Sequence, residues 1–324
     1  MKSMAGLIVA ALVFFAASPQ AAENVTVRLD FTPVGFHAAM HLAKEKGWFA
    51  REGLEVDIQD GAGSLNTILL VGADKIDIGQ AQLGVMAMAL EKDLAMKSFA
   101  GFLRTGDLAV MVPRDSAINK LADLKGKKIA CFTASPWAPF IDNFLSRGGL
   151  DRKAVEIVMV SPPAMAALYS SKDFDGFMSV EPYAVPLVEK SRPAKTIRLA
   201  DYGINFPSYG LFATQKTLDT RADMLRKFAK VQVEAWEYIW KGNQDEAVQA
   251  IMKNRAAMKL DPTVLKAQLE LNRGFFDTPN TRGKRIGWQS SADWAAAIAS
   301  MKEAGVISGR IKPEDYFTNA LLPD

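Results

Sequence analysis

From Val25 onward the sequence keeps switching its hydrophobic period between two and about 3.6 residues, which restricts the chain to an α/β fold. Val25 to Phe31 alternates like a strand. Gly35 to Lys46 places apolar residues at helical spacing, and Leu54 to Gln59 alternates again before the turn Gly61-Ala62-Gly63. Ser64 then reads as the cap of a helix over Leu65 to Gly72, Ile76 to Gly79 as a short buried strand, and Leu83 to Leu90 as the next helix. Such a βαβαβ series needs a parallel sheet with helices on both faces, because parallel strands are joined only by long crossovers.

A second series begins near residue 113. It runs through a short helix at Leu121 to Lys128 with a glycine stop, strand Ile129 to Phe132, helix Pro139 to Arg147, strand Val155 to Met159, helix Ala164 to Ser171 and strand Phe174 to Val180. Tyr209 to Thr214 reads as a returning strand, and from Leu218 the pattern is almost wholly helical. This order predicts two α/β lobes, each a mostly parallel sheet flanked by helices. Lobe 1 is discontinuous, residues 23–112 and 210–324, and lobe 2 is residues 113–209. With 324 residues, 49% of them hydrophobic, the chain exceeds what one core usually holds, which agrees with two domains.

The first 22 residues read as a cleaved secretory signal: Lys2, an apolar run from Ala5 to Ala17, and small residues at Ala21 and Ala22. The run is shorter than the roughly 20 residues that span a bilayer. No cysteine lies near the exit, so a lipid-anchored form is excluded and a free periplasmic protein is expected. The single cysteine, Cys131, sits in an apolar strand and reads as core. The formal net charge is +3, or +2 without Lys2, and the basic residues are scattered, so nucleic acid is not an expected partner.

Catalytic signatures fail on inspection. Gly61-Ala62-Gly63-Ser64 does not complete a dinucleotide fingerprint, and the chain contains neither a phosphate-cradling lysine loop nor a Gly-x-Ser-x-Gly elbow. His37 and His41 have the spacing of a metal pair, but Ala38 stands where a zinc protease needs glutamate. The expectation is a chain that is not an enzyme and holds neither metal nor cofactor.

Asp30-Phe31-Thr32-Pro33, His37-Ala38, Ala43-Lys44-Glu45-Lys46-Gly47-Trp48-Phe49 and Glu52-Gly53-Leu54-Glu55-Val56 together resemble the opening of the NMT1/THI5-like periplasmic binding proteins. That family includes binders of sulfonates, taurine, nitrate and thiamine pyrimidine precursors. Gly287-Trp288-Gln289 and Phe317 to Pro323 look most like the pyrimidine-precursor binders. Those relatives carry asparagines between the proline and the histidine, where this chain has Val34, Gly35 and Phe36, a departure toward a more apolar aromatic ligand. The resemblance implies a two-lobed type II periplasmic binding protein, a monomer that closes on a small molecule by hinge motion and delivers it to an ABC transporter permease. The alternatives are a binder of a sulfonate, nitrate or aromatic acid, and a secreted THI5-like enzyme. That enzyme's cysteine-rich iron motif is missing here.

Ligands of open parallel sheets sit beyond the carboxyl ends of strands. Five loops qualify: Asp30 to His37, Gly61 to Thr67, Gln80 to Gly84, Phe132 to Trp137, and Glu181-Pro182-Tyr183. None contains Arg or Lys, which favours a neutral or cationic heterocycle over an anion. The candidate ligand residues are Asp30, Phe36, His37, Ser64, Asn66, Gln80, Gln82, Phe132, Thr133, Ser135, Trp137, Glu181 and Tyr183. Trp137 is expected to stack on the ring, and Glu181 to accept a paired hydrogen bond from an aminopyrimidine.

Overall fold

The computed structural model describes residues 21–132 and 135–323. Most of the expected signal segment and candidate Thr133 therefore lie outside the described residues. Among the described residues, ten strands form two five-stranded sheets. The first contains β1 (Glu23–Leu29), β2 (Leu54–Gln59), β3 (Ile78–Gln82), β4 (Met96–Gly101) and β10 (Tyr209–Thr214), in the order β2-β1-β3-β10-β4. The second contains β5 (Leu108–Pro113), β6 (Lys128–Cys131), β7 (Glu156–Met159), β8 (Gly176–Val180) and β9 (Ala194–Arg198), in the order β7-β6-β8-β5-β9. In each sheet four strands run one way and one runs against them, β10 between β3 and β4, and β5 between β8 and β9.

Those two antiparallel strands flank the passages between lobes. Because β5 belongs to the second sheet, the first crossing lies at residues 102–107, upstream of the expected 112. The return crossing ends at Ser208. The crossings pair with each other: Ser208 N–H donates to the Leu103 carbonyl at 2.8 Å, and Gly106 N–H to Asn205 Oδ1 at 2.7 Å. A paired two-stranded bridge of this kind can bend without unfolding either sheet, the property a hinge requires.

Several local expectations shift. The helix expected from Gly35 starts as a tight 3-10 turn over Gly35–His37 and becomes regular over Ala38–Glu45. Ser64 does not cap its helix. The cap position is Gly63, whose φ of 117° suits glycine, and Ser64 is the first helical residue. β3 extends to Gln82, so Gln80 and Gln82 lie inside a strand and not in a loop beyond it. Glu181-Pro182-Tyr183 is the first turn of a helix, Glu181–Val188.

The lobe 1 core faces the helices Ala38–Glu45, Ala222–Trp240 and Gln244–Asn254. At its heart Phe36 stacks on Trp236 at 5.6 Å and lies 4.6 Å from Tyr209, so the entry loop is anchored by aromatic burial. The helix Pro262–Asn272 packs on both the Gly35–His37 turn and the lobe 2 helix Glu181–Val188. It thus forms one wall of the space between the lobes.

Candidate functional site

The lobes meet over an apolar slot of ≈ 530 Å³, part of it open to solvent. Lobe 1 contributes Phe31, Val34, Gly63, Ser64, Asp30 and Tyr209, and lobe 2 contributes Phe132, Pro136, Met165, Val180 and Tyr183 among others. Phe31 reaches across the cleft, 6.2 Å from the Phe132 ring and edge-on to Tyr183 at 5.8 Å. Burial pushes the Tyr183 phenol up to about 12, so it stays neutral. The space continues inward past Phe36 and His37 to Gln268 and Asn272.

Asp30 supplies the charge of the site. It follows β1, is 6% exposed, and gathers buried donors. His37 Nε2 lies 3.0 Å from Oδ1, and the Tyr209 hydroxyl donates to Oδ2 at 2.7 Å. The Ser64 hydroxyl, freed from capping, reaches Oδ2 at 3.4 Å. The tautomer of His37 follows from its other nitrogen: Nδ1 accepts the Val34 N–H at 3.2 Å, so Nε2 carries the proton and donates to Asp30. Tyr209 remains a donor as well, since burial and then the Asp30 charge push its phenol well above 10. The result is an acceptor-only carboxylate at one end of a hydrophobic slot. A carboxylate has about four lone-pair directions, and the protein donors leave room for a further donor from the slot.

Among the described residues that line the slot and its inner end, none is Arg or Lys. The arrangement suits a flat ring that stacks on Phe31, Phe132 or Tyr183 and presents N–H donors at its edge.

Of the sequence candidates, Asp30, Phe36, His37, Ser64, Phe132 and Tyr183 line this space. The other described candidates lie outside its lining. Trp137 is fully buried, packs edge-on to Phe144 and donates its indole N–H to the Ser179 carbonyl at 2.9 Å, so it covers the lobe 2 core and does not face the slot. Ser135 accepts the Trp137 N–H on its hydroxyl. Asn66 is exposed and accepts from Arg28. Gln80 is buried within β3, and Gln82 donates to Asp107 Oδ1 at 2.8 Å.

The carboxylate of Glu181 is clasped by Arg198 from β9 through two bonds of 2.6 and 2.7 Å. No sequence pattern pairs residues from those two elements. Because Arg198 is 43% exposed and can return to water, Glu181→Gln is expected to cost only about 1 kcal/mol of stability. It should leave any ligand-induced rise in melting temperature intact. Loss of that rise with the fold unchanged would return Glu181 to the site.

Phe31, Tyr209, Met165, Gln268 and Asn272 were missed by the sequence reading. Phe31 had a signal, its place between Asp30 and Pro33 in a strand-end loop. Gln268 and Asn272 had a fainter one: two amides spaced four apart on a helix face shared with Leu265 and Leu269, where a packed helix would carry apolar residues.

The family model described as NMT1/THI5 like matches residues 35–247. Over 310 residues the chain is 23% identical to the formylaminopyrimidine-binding protein of Halalkalibacterium halodurans, covering 94% of this chain and 92% of that one. A shorter match, 24% over 162 residues, is to the 4-amino-5-hydroxymethyl-2-methylpyrimidine phosphate synthase of Schizosaccharomyces pombe, with 49% of this chain and 45% of that one covered. Among solved structures, the periplasmic aliphatic sulphonate binding protein SsuA of Escherichia coli superposes with a TM-score of 0.69 at 13% identity over 91% of each chain. That likeness establishes a shared fold.

Proposed function

The chain belongs to the NMT1/THI5-like family, and from that premise we propose that it is the periplasmic binding component of an ABC importer that captures an aminopyrimidine-like heterocycle and releases it unchanged. The observation that carries this reading is the Asp30 carboxylate, held by His37, Tyr209 and Ser64 at the end of an aromatic slot. An aminopyrimidine has a flat face for Phe31 and Tyr183 and adjacent edge donors for a carboxylate. A sulfonate or nitrate would bring an anion against that carboxylate without a lining cation, a repulsive arrangement in a site of low dielectric.

In this reading the ligand settles first on lobe 1, against Asp30 and Phe31. Bending at residues 102–107 and 204–208 then brings Phe132 and Tyr183 onto its other side. Closure removes the ring from water, and the closed outline is what a permease would recognise.

A thermal-shift and calorimetric screen tests the ligand class. Formylaminopyrimidine and 4-amino-5-hydroxymethyl-2-methylpyrimidine are expected to raise the melting temperature by mass action, while aliphatic sulfonates and nitrate are not. Mass spectrometry of recovered ligand is expected to find it unaltered, and a new product would favour the enzyme reading suggested by the synthase relative. A shift with sulfonates alone would overturn the heterocycle. Phe31→Ala is expected to weaken binding about tenfold through lost stacking, with little change in stability because Phe31 is only partly buried. Unchanged affinity would remove the stacking role.

A further inference from the structure

The Pro262–Asn272 helix carries a side chain that joins the lobes across the cleft. Gln268 is 2% exposed. Its Oε1 accepts the Gly35 N–H of lobe 1 at 3.0 Å, and its Nε2 donates to the Tyr183 carbonyl of lobe 2 at 3.0 Å. The amide orientation is fixed from both ends, since a backbone N–H can meet only the oxygen and a backbone carbonyl only the nitrogen. Gly35 holds the lobe 1 end in place. A Cβ there would stand 2.4 Å from the Leu269 nitrogen and 2.5 Å from the Leu265 carbonyl oxygen, so the turn lies directly on the helix backbone. Tyr183 is the first-turn residue of lobe 2 that also lines the slot. When the lobes part, the bond to Gly35 stays within lobe 1, and the bond to Tyr183 must break.

We propose that Gln268 is a positioning residue that latches the closed cleft: pre-aimed by Gly35, its amide grips the Tyr183 backbone on closure and slows ligand release. The proposal rests on the binding-protein reading for its ligand step. Its conformational step does not depend on which molecule binds. Asn272, one turn further along, donates its side-chain amide to the Gln268 backbone carbonyl at 2.8 Å, which holds Asn272 on the same wall.

Two variants test the latch. Gln268→Leu removes both bonds at similar volume. Gln268→Glu keeps an acceptor for Gly35, but when ionised it repels the Tyr183 carbonyl, and when protonated it can donate to that carbonyl much as glutamine does. Small-angle X-ray scattering without ligand, and stopped-flow release of formylaminopyrimidine, are to be read on wild type and both variants at neutral and acidic pH.

The expected result is a more open ligand-free chain and about tenfold faster release for both variants at neutral pH, from loss of one lobe-bridging bond and an unpaired buried carbonyl in the closed state. On acidification the Gln268→Glu chain should close again relative to wild type at the same pH, while Gln268→Leu should not. A structural role alone gives no such recovery. Scattering and release identical to wild type in the leucine variant would overturn the latch, as would a glutamate variant whose lobe opening does not respond to pH. If formylaminopyrimidine fails to bind wild type, the ligand assignment falls, and the scattering comparison still decides the latch.

Discussion

An Asp30→Ala chain is expected to lose about 4 kcal/mol of stability, because two buried donors are left unpaired at roughly 1–3 kcal/mol each, and to show no ligand-induced shift in melting temperature. Those donors are His37 Nε2, whose proton is fixed there by the Val34 bond to Nδ1, and the Tyr209 hydroxyl. His37 is 0% exposed and Tyr209 only 7%, so little water reaches either to replace the lost acceptor. An Asp30→Asn chain separates the two roles of this residue. Its amide can turn its oxygen toward His37 and its nitrogen toward the hydroxyls of Tyr209 and Ser64, which can act as acceptors, so most of the stability should return. The negative charge does not return. Affinity for an edge of N–H donors should therefore stay well below wild type, since a charge-assisted bond is roughly twice as strong as a neutral one. Urea denaturation and calorimetry on the pair measure both effects. Wild-type affinity in Asp30→Asn would show that the ligand does not use the charge, and an Asp30→Ala chain as stable as wild type would show that the network does not hold the loop.

What the sequence made legible, and what it did not, follows from how each signal is written in the chain. β1 and β2 have one face turned outward and alternate visibly, as the burial of β2 shows. β4 and β5 escaped because they are buried on nearly every residue and carry no period to read, which also displaced the lobe boundary. The rule that ligands sit beyond strand ends located the loops of Asp30, Ser64, Phe132 and Tyr183 at the slot. It could not say which way a side chain turns once a partner from a distant element competes for it. Glu181 was diverted by Arg198, Trp137 by the Ser179 carbonyl and Gln82 by Asp107. The wall carrying Gln268 lies far along the chain from the loops it closes over, and only the packed structure brings them together.

The second large effect is on how stability depends on pH, and Asp107→Asn isolates it. Asp107 ends the first crossing between the lobes and is 0% exposed. One carboxyl oxygen accepts from Gln82, while the other makes no well-formed hydrogen bond among the described residues although the Ser208 hydroxyl lies beside it. Burial above all, with added repulsion from Glu181, pushes its carboxyl from 3.8 up to about 7. Between those values the folded chain keeps a proton that the unfolded chain has released. The stability tied to this group is therefore complete below pH 3.8 and is lost as pH rises to about 7, at about 1.4 kcal/mol per unit.

His41 acts in the opposite sense. Burial first, then the charge of Arg255, presses its imidazole from 6.5 down to about 3, and neither ring nitrogen has a hydrogen-bond partner among the described residues. The stability tied to His41 is present above pH 6.5 and is lost as pH falls toward about 3. Across the shared window, from 3.8 to 6.5, the two slopes are equal and opposite, so their sum is flat. Asp107→Asn should stabilise the chain by about 4 kcal/mol near pH 7.5 and about 1 kcal/mol near pH 4.5, and it should turn the plateau into a rise with pH. His41→Leu should turn it into a fall. Urea denaturation at several pH values reads both slopes. A gain from Asp107→Asn that is the same at every pH would mean that Asp107 stays ionised in the folded hinge, and its burial would then have to be met by a cation brought close on closure.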